Sequence, residues 1–133
     1  MLRKQALVTG ASGDIGKCIA LALSNEGYEL FLCGNKNKID ISQAKTKVVE
    51  LYFDQSQPEK VKAIFKKLQD ENIKFDLVVC NAGVAEEEMM LIDKADEVID
   101  NILKVNLHGT IYCNKYSIPL LKKGGSVINI SSF

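Results

Sequence analysis

The feature that most constrains this chain is the break at Thr9-Gly10, where a strand-like run meets a segment of helical spacing. Gln5-Ala6-Leu7-Val8 reads as a short apolar strand. From Gly13 to Asn25 the apolar residues Ile15, Cys18, Ile19, Ala22 and Leu23 recur at helical intervals, and Gly27 closes the segment. The alternation then repeats. Tyr28 to Cys33, Val48 to Phe53 and Phe75 to Cys80 read as strands, and Val61, Ile64, Phe65 and Leu68 mark a helix between the last two. Ala95, Val98, Ile99, Ile102 and Leu103 predict a long helix to about His108. A further helix is expected from about Thr110 to Leu121, before Gly124-Gly125 and a last strand, Ser126 to Ile130. The polar stretch from Asn35 to Lys47 predicts no regular element.

Strands that alternate with helices and are themselves near-continuous apolar runs predict a parallel sheet covered on both faces. Right-handed crossovers then give an α/β fold, a doubly wound parallel sheet of strand order 3-2-1-4-5. A complete sheet of this kind has two βαβαβ halves. Here the second half stops after its second strand, so the domain expected over residues 1–133 is incomplete. Its fifth strand would be a bare apolar edge, prone to self-association.

Charge narrows the partners. Lys+Arg and Asp+Glu balance at 17 each, so no global field draws the chain to nucleic acid or to an anionic membrane. The segment Met1-Leu2-Arg3-Lys4-Gln5 has no signal-peptide character, and no apolar run approaches the ~18 residues of a membrane span. A cytoplasmic location is the expectation. The 4 cysteines include no CxxC pair, and only 1 His accompanies them. Buried thiols are therefore expected at Cys18, Cys33 and Cys80, which sit in apolar segments, and no metal site.

The segment Val8-Thr9-Gly10-Ala11-Ser12-Gly13-Asp14-Ile15-Gly16 lies between the first strand and the first helix. A dinucleotide fold presents free backbone N–H groups and the positive end of a helix to a pyrophosphate at this place. Gly10 permits the tight turn, Gly13 lets phosphate approach the backbone, and Gly16 lets the helix pack on the strand. Gly10, Ala11, Ser12, Gly13, Ile15 and Gly16 are thus candidate cofactor contacts, a tight turn without a ligand being the alternative. Asp14 is expected to point to solvent in the first helical turn, where it complements the dipole. The loop lacks the Gly-Lys-Ser/Thr ending of a P-loop.

With four further segments the chain resembles the short-chain dehydrogenase/reductase family over nearly its whole length, nearest to the 3-oxoacyl-carrier-protein reductases. Asp54-Gln55 follows the third strand, where the family's Asp contacts adenine. Asn81-Ala82-Gly83-Val84 resembles the motif that supports the sheet and lines the cofactor. Val105-Asn106-Leu107-His108-Gly109-Thr110 resembles the segment with the catalytic Asn, and Ile128-Asn129-Ile130-Ser131-Ser132 the fifth strand with its active-site Ser. The resemblance implies a Rossmann fold and hydride transfer between a nicotinamide cofactor and a carbonyl or alcohol substrate. It makes Asn106 the holder of an ordered water in a proton relay, and Ser132 the group that hydrogen-bonds the substrate oxygen. The alternatives are a buried structural Asn106 on the inward-packing stripe, a role compatible with the relay, and a solvated strand end at Ser132.

The second strand ends Cys33-Gly34-Asn35-Lys36-Asn37-Lys38, with no carboxylate to accept a ribose 2′-hydroxyl or repel a 2′-phosphate. Lys36 or Lys38 could neutralise such a phosphate, so NADP is favoured over NAD, with Asn35 and Lys36 as contacts; a solvated loop is the plainer alternative. The family's general acid, a Tyr followed four residues later by a Lys after the fifth strand, is not among these 133 residues, so the chain alone is expected to be inactive. Its expected partners are a small carbonyl or alcohol substrate in the full-length enzyme and further copies of itself. A non-catalytic dinucleotide-binding or sensor module is the alternative reading.

Overall fold

The computed structural model describes residues 3–86 and 88–132; Met1, Leu2, Glu87 and Phe133 lie outside them. Its strands are β1 (Gln5–Thr9), β2 (Glu29–Gly34), β3 (Val48–Tyr52), β4 (Phe75–Cys80) and β5 (Leu121–Asn129). The helices are α1 (Asp14–Asn25), α2 (Pro58–Asp70), α3 (Asp96–Leu103) and α4 (Thr110–Ser117). The π-helical turn Lys104–Gly109 joins the last two. Neighbouring strands are parallel in the order β3-β2-β1-β4-β5, the doubly wound arrangement that the alternation of elements predicts.

Side-chain alternation along the strands sorts the core into two layers. Leu7, Phe31, Phe75 and Val78 face Val61, Phe65 and Leu68 of α2 and Cys113 of α4. Phe31 and Phe75 meet edge to face, 5.2 Å between ring centres. On the opposite face Ala6, Val8, Leu30, Leu32 and Val79 pack with Ala20 of α1. Ile39 and Ile41, in the stretch without a regular element, complete this second layer and are buried. Two apolar residues in a polar loop are thus core.

The structure corrects three sequence expectations. Helix α1 buries Gly16, Ala20 and Ser24, while Ile15 and Cys18 are exposed. Close approach of a helix to a strand selects its small side chains, so the apolar stripe lies off the contact line. Cys18 is therefore not a buried thiol, unlike Cys33, Cys80 and Cys113. Burial pushes the Cys80 thiol up to about 11 and that of Cys113 up to about 12, which leaves both inert near neutrality. Secondly, α3 and α4 do not break at Gly109, which keeps helical dihedrals (φ −59°, ψ −41°). The helix ends instead at Ser117, before a short 3₁₀ turn containing Pro119, whose missing N–H cannot continue it. Thirdly, β5 begins at Leu121 rather than Ser126, with a register shift opposite Phe75 to Leu77.

A staple holds the amino ends of the strands. Asp76 accepts hydrogen bonds from the Gln5 amide (2.8 Å) and from Lys122 Nζ (2.7 Å), which ties β4 to β1 and β5. Partial burial opposes ionisation of Asp76, but Lys122 and the Gln5 amide outweigh it and hold the carboxyl below its ordinary value. The pair's contribution is therefore present above the unfolded-state value of about 3.9 and lost as pH falls through the lowered native value. Asp76→Asn should cost about 1 kcal/mol at neutral pH. Thermal melts across pH should show a drop of about 3–5 °C that shrinks in acid. A mutant melting like the wild type at pH 7 would remove the staple from the account.

Candidate functional site

Strand order reverses between β1 and β4, and the chain leaves them toward opposite faces of the sheet. Open α/β sheets form their ligand crevice at such a point. Here a hydrogen-bonded seam closes its floor. Thr9 Oγ1 accepts from the amides of Asn81 (2.9 Å) and Ala82 (3.0 Å). The Asn81 carboxamide donates back to the carbonyls of Thr9 (3.3 Å) and Gly10 (3.4 Å). Gly10 turns away from β1 with φ +66°, and a Cβ there would stand 2.7 Å from Ala82 Cα. A Cβ on Gly16 would stand 2.1 Å from the Gly10 carbonyl oxygen. Both glycines are steric requirements of the turn.

Gly13 differs. A Cβ there would meet only the Gly10 carbonyl, at 3.6 Å, so the protein leaves space over this residue. Gly13 is the N-cap of α1, and no side chain among the described residues caps the helix. The amides of its first turn are thus available at the cleft, where the helix dipole is positive. The cleft has a volume of about 740 Å³, within the range of small-molecule and cofactor sites.

Most residues singled out from the sequence line this cleft. Gly10, Ser12, Gly13, Ile15 and Gly16 form one side, and Asn81, Ala82 and Gly83 the floor beyond β4. Asn35, Lys36, Asp54 and Gln55 line the end toward β2 and β3. Ala11 is buried beneath the loop, its amide bonded to the Cys33 carbonyl at 3.0 Å. Lys38 does not line the cleft; it borders a shallower hollow with Asp40 and Glu50. Of the two lysines considered for a 2′-phosphate, only Lys36 stands at the site. Asp14 is exposed as expected, but at the mouth of the cleft.

The carboxylate of Asp54 is oriented by its neighbours, with Oδ1 accepting from the Ser56 amide (2.9 Å) and hydroxyl (2.7 Å). Burial raises its pKa, but these bonds, Gln57 and Lys60 prevail, so the carboxyl lies below its ordinary value. Gln55 is turned inward, only 8% exposed, and its Nε2 donates to the Val105 carbonyl at 2.8 Å.

Asn106 and Ser132 are not among the lining residues. Asn106 is exposed rather than on an inward stripe. The π turn adds a residue to the helical repeat, so spacing counted from Ile102 and Leu103 does not carry across it. Its carboxamide closes a two-point clamp on Val84: Oδ1 accepts from the Val84 amide (2.7 Å) and Nδ2 donates to the Val84 carbonyl (2.8 Å). Val84 itself lines the cleft, so Asn106 acts on the site through it. The ladder of β5 continues past Asn129 through Ile130, whose amide bonds the Cys80 carbonyl at 3.0 Å. Ser132 follows, exposed, at the same carboxyl edge of the sheet as the cleft.

Residues 4–133 match the family model of the short chain dehydrogenases. The chain belongs to that family. The 3-oxoacyl-[acyl-carrier-protein] reductase of Staphylococcus aureus is 34% identical over 140 aligned positions, covering 98% of this chain and 56% of that enzyme. The chain thus spans about half the length of its curated relatives. Among solved structures, the 3-oxoacyl-[acyl-carrier protein] reductase of Brucella melitensis in complex with NAD superposes with a TM-score of 0.87 at 26% identity, over 99% of this chain and 56% of that one. The ligand-free aldohexose dehydrogenase of Thermoplasma acidophilum has a TM-score of 0.80 at 31% identity, over 97% of this chain and 49% of that one.

In this short-chain dehydrogenase chain, sequence reasoning missed Phe53, Asn101 and Val105 as cleft-lining residues. Phe53 reads as the end of a strand and Val105 only as a neighbour of Asn106, and nothing in a linear pattern places Asn101 of α3 over the cleft. It also missed the inward turn of Gln55, whose only signal is that a long amide there needs a partner. No helix among the described residues is long and apolar enough to cross a membrane.

Proposed function

We propose that this chain forms the cofactor half of an oxidoreductase that transfers hydride between NADP(H) and a carbonyl or alcohol substrate. The observation that carries the reading is the uncapped amino end of α1, facing an open cleft at the β1/β4 switch point over a glycine with room above it. Backbone amides and the positive helix end suit a pyrophosphate there, with Gly10, Ala11, Ser12, Gly13, Ile15 and Gly16 as its cradle. Asn35 and Lys36 would hold the ribose phosphate of the adenosine half, and Asp54 and Gln55 would bound the adenine. Asn81, Ala82 and Gly83 would line the path to the nicotinamide, which when bound supplies or takes up the hydride.

Ser132 at the sheet edge would hydrogen-bond the substrate oxygen, and Asn106 would fix the Val84 segment. A second hydrogen and a lone pair remain on the Asn106 carboxamide for a water. These 133 residues hold no Tyr-x-x-x-Lys after Ser132, so by themselves they are proposed to bind cofactor without turnover.

Titration of NADPH and NADH, followed by nicotinamide fluorescence in a protein with 0 Trp, tests the reading. NADPH should bind more tightly. Lys36→Glu should weaken NADPH about tenfold, as expected for one exposed cation against a phosphate, and leave NADH unchanged. Equal affinities that Lys36→Glu does not alter would overturn the NADP assignment. No saturable binding of either would overturn the cofactor reading.

A further inference from the structure

We propose that Gln55 is a positioning residue for the cleft, a wedge that holds the π-helical turn so that Asn106 is aimed at Val84. This deepens the cofactor reading above and rests on it for its functional consequence.

Side chains that follow a strand end in a cleft wall normally face ligand or solvent, but Gln55, although it lines the cleft, is only 8% exposed and turns its carboxamide to the helical segment at Val105. Its Nε2 donates to the Val105 carbonyl at 2.8 Å, and its Oε1 accepts from Cys113 Sγ at 3.7 Å. Both ends of the carboxamide are thereby used. Gly109 makes the space. A Cβ there would stand 2.6 Å from Gln55 Cγ and 2.8 Å from Nε2, so the glycine and the wedge are matched.

Val105 and Gly109 belong to the π turn Lys104–Gly109. Such turns are rare and locally unfavourable, and persist where their surroundings hold them. Gln55 supplies a donor to a carbonyl of that turn and fills the gap beside its last residue. The residue after Val105 is Asn106, which clamps Val84 through both its amide and its carbonyl. Asp54, next to Gln55, and Val84 line the same cleft. The wedge therefore joins the adenine wall to the segment beyond β4. A Gln buried only for stability would need partners for its amide; it would not need a glycine beneath it or a π turn as its acceptor.

The test is amide hydrogen exchange at Val84, read against Leu7 in β1, together with NADPH titration of the same 133-residue chain. Gln55→Leu and Gly109→Ala should each speed exchange at Val84 about tenfold, the equivalent of one lost net hydrogen bond, with Leu7 unaffected. Each should also weaken NADPH binding several-fold. In a Gln55→Ala background the gap is open, so Gly109→Ala should no longer speed Val84 exchange relative to that background. The proposal is overturned by unchanged Val84 exchange in both single variants, or by an equal effect of Gly109→Ala with and without the Gln55 side chain. Faster Val84 exchange at unchanged NADPH affinity overturns it too. A general loss of protection that includes Leu7 would show a merely structural residue. Failure of the wild-type chain to bind NADPH would instead sink the cofactor reading, leaving Val84 exchange to decide the wedge.

Discussion

Gly16→Ala should abolish saturable NADPH binding and lower the melting temperature by about 10 °C or more, whereas Gly13→Ala should leave the melting temperature unchanged and weaken NADPH binding only by filling the space a phosphate would use. A methyl at position 16 would be 2.1 Å from the Gly10 carbonyl oxygen, 2.8 Å from its carbon and 2.9 Å from Ala11 Cα. All of these are backbone atoms, so relief requires α1 to lift off β1 or the turn to unwind. Overpacking of this kind costs about 3 kcal/mol or more. It also moves the first-turn amides away from the place where a pyrophosphate would sit. At Gly13 the nearest atom is 3.6 Å away and the backbone is extended (φ −86°, ψ 168°), so an Ala fits in the absence of ligand. The three glycines of one motif thus separate into two steric necessities and one space. Thermal melts and NADPH titration of both variants measure the difference. A Gly16→Ala chain that melts and binds like the wild type would overturn this account of the turn.

The same motif shows how far a linear reading reaches. Order of elements, parallel pairing and the place of the glycine loop follow from periodicity and from the handedness of crossovers. They depend on features that are local along the chain. Contacts between distant segments are less legible. Nothing near Gln55 reveals that Gly109 leaves a gap for it, so the linear reading of Asp54-Gln55 does not show that Gln55 also bonds the Val105 carbonyl while Asp54 bonds Ser56. Asn106 falls on an inward stripe only if the helix keeps one period. The π turn shifts the phase, and the residue emerges exposed, bound to Val84. Ile39 and Ile41 illustrate the converse, since two apolar residues among lysines, asparagines and serines carry no period, yet both are buried under the sheet. In α1 the search for large apolar side chains misleads because the tightest contact is made by Gly16 and Ala20.

Removing one oxygen from Thr9 should destabilise the chain nearly as much as crowding Gly16. Thr9 is only 2% exposed, at the carboxyl end of β1, and its hydroxyl receives the backbone amides of both Asn81 and Ala82. Thr9→Val keeps the branched shape and the strand propensity while deleting the acceptor. Two N–H groups then lose their partner at the floor of the cleft. Each buried donor left unsatisfied costs about 1–3 kcal/mol, so a loss of about 2–4 kcal/mol is expected. For a domain of this size that corresponds to a melting temperature lower by about 8–15 °C. Thr9→Ser retains the oxygen and loses only a methyl, so it should recover most of the stability. The seam also fixes how far β1 and β4 part beneath Gly10, so NADPH binding should weaken in the Val variant even at temperatures where it remains folded. Chemical denaturation and NADPH titration of the Val and Ser variants separate the two effects. If Thr9→Val proves as stable as Thr9→Ser, the two amides must have found other partners, and the seam does not set the width of the cleft.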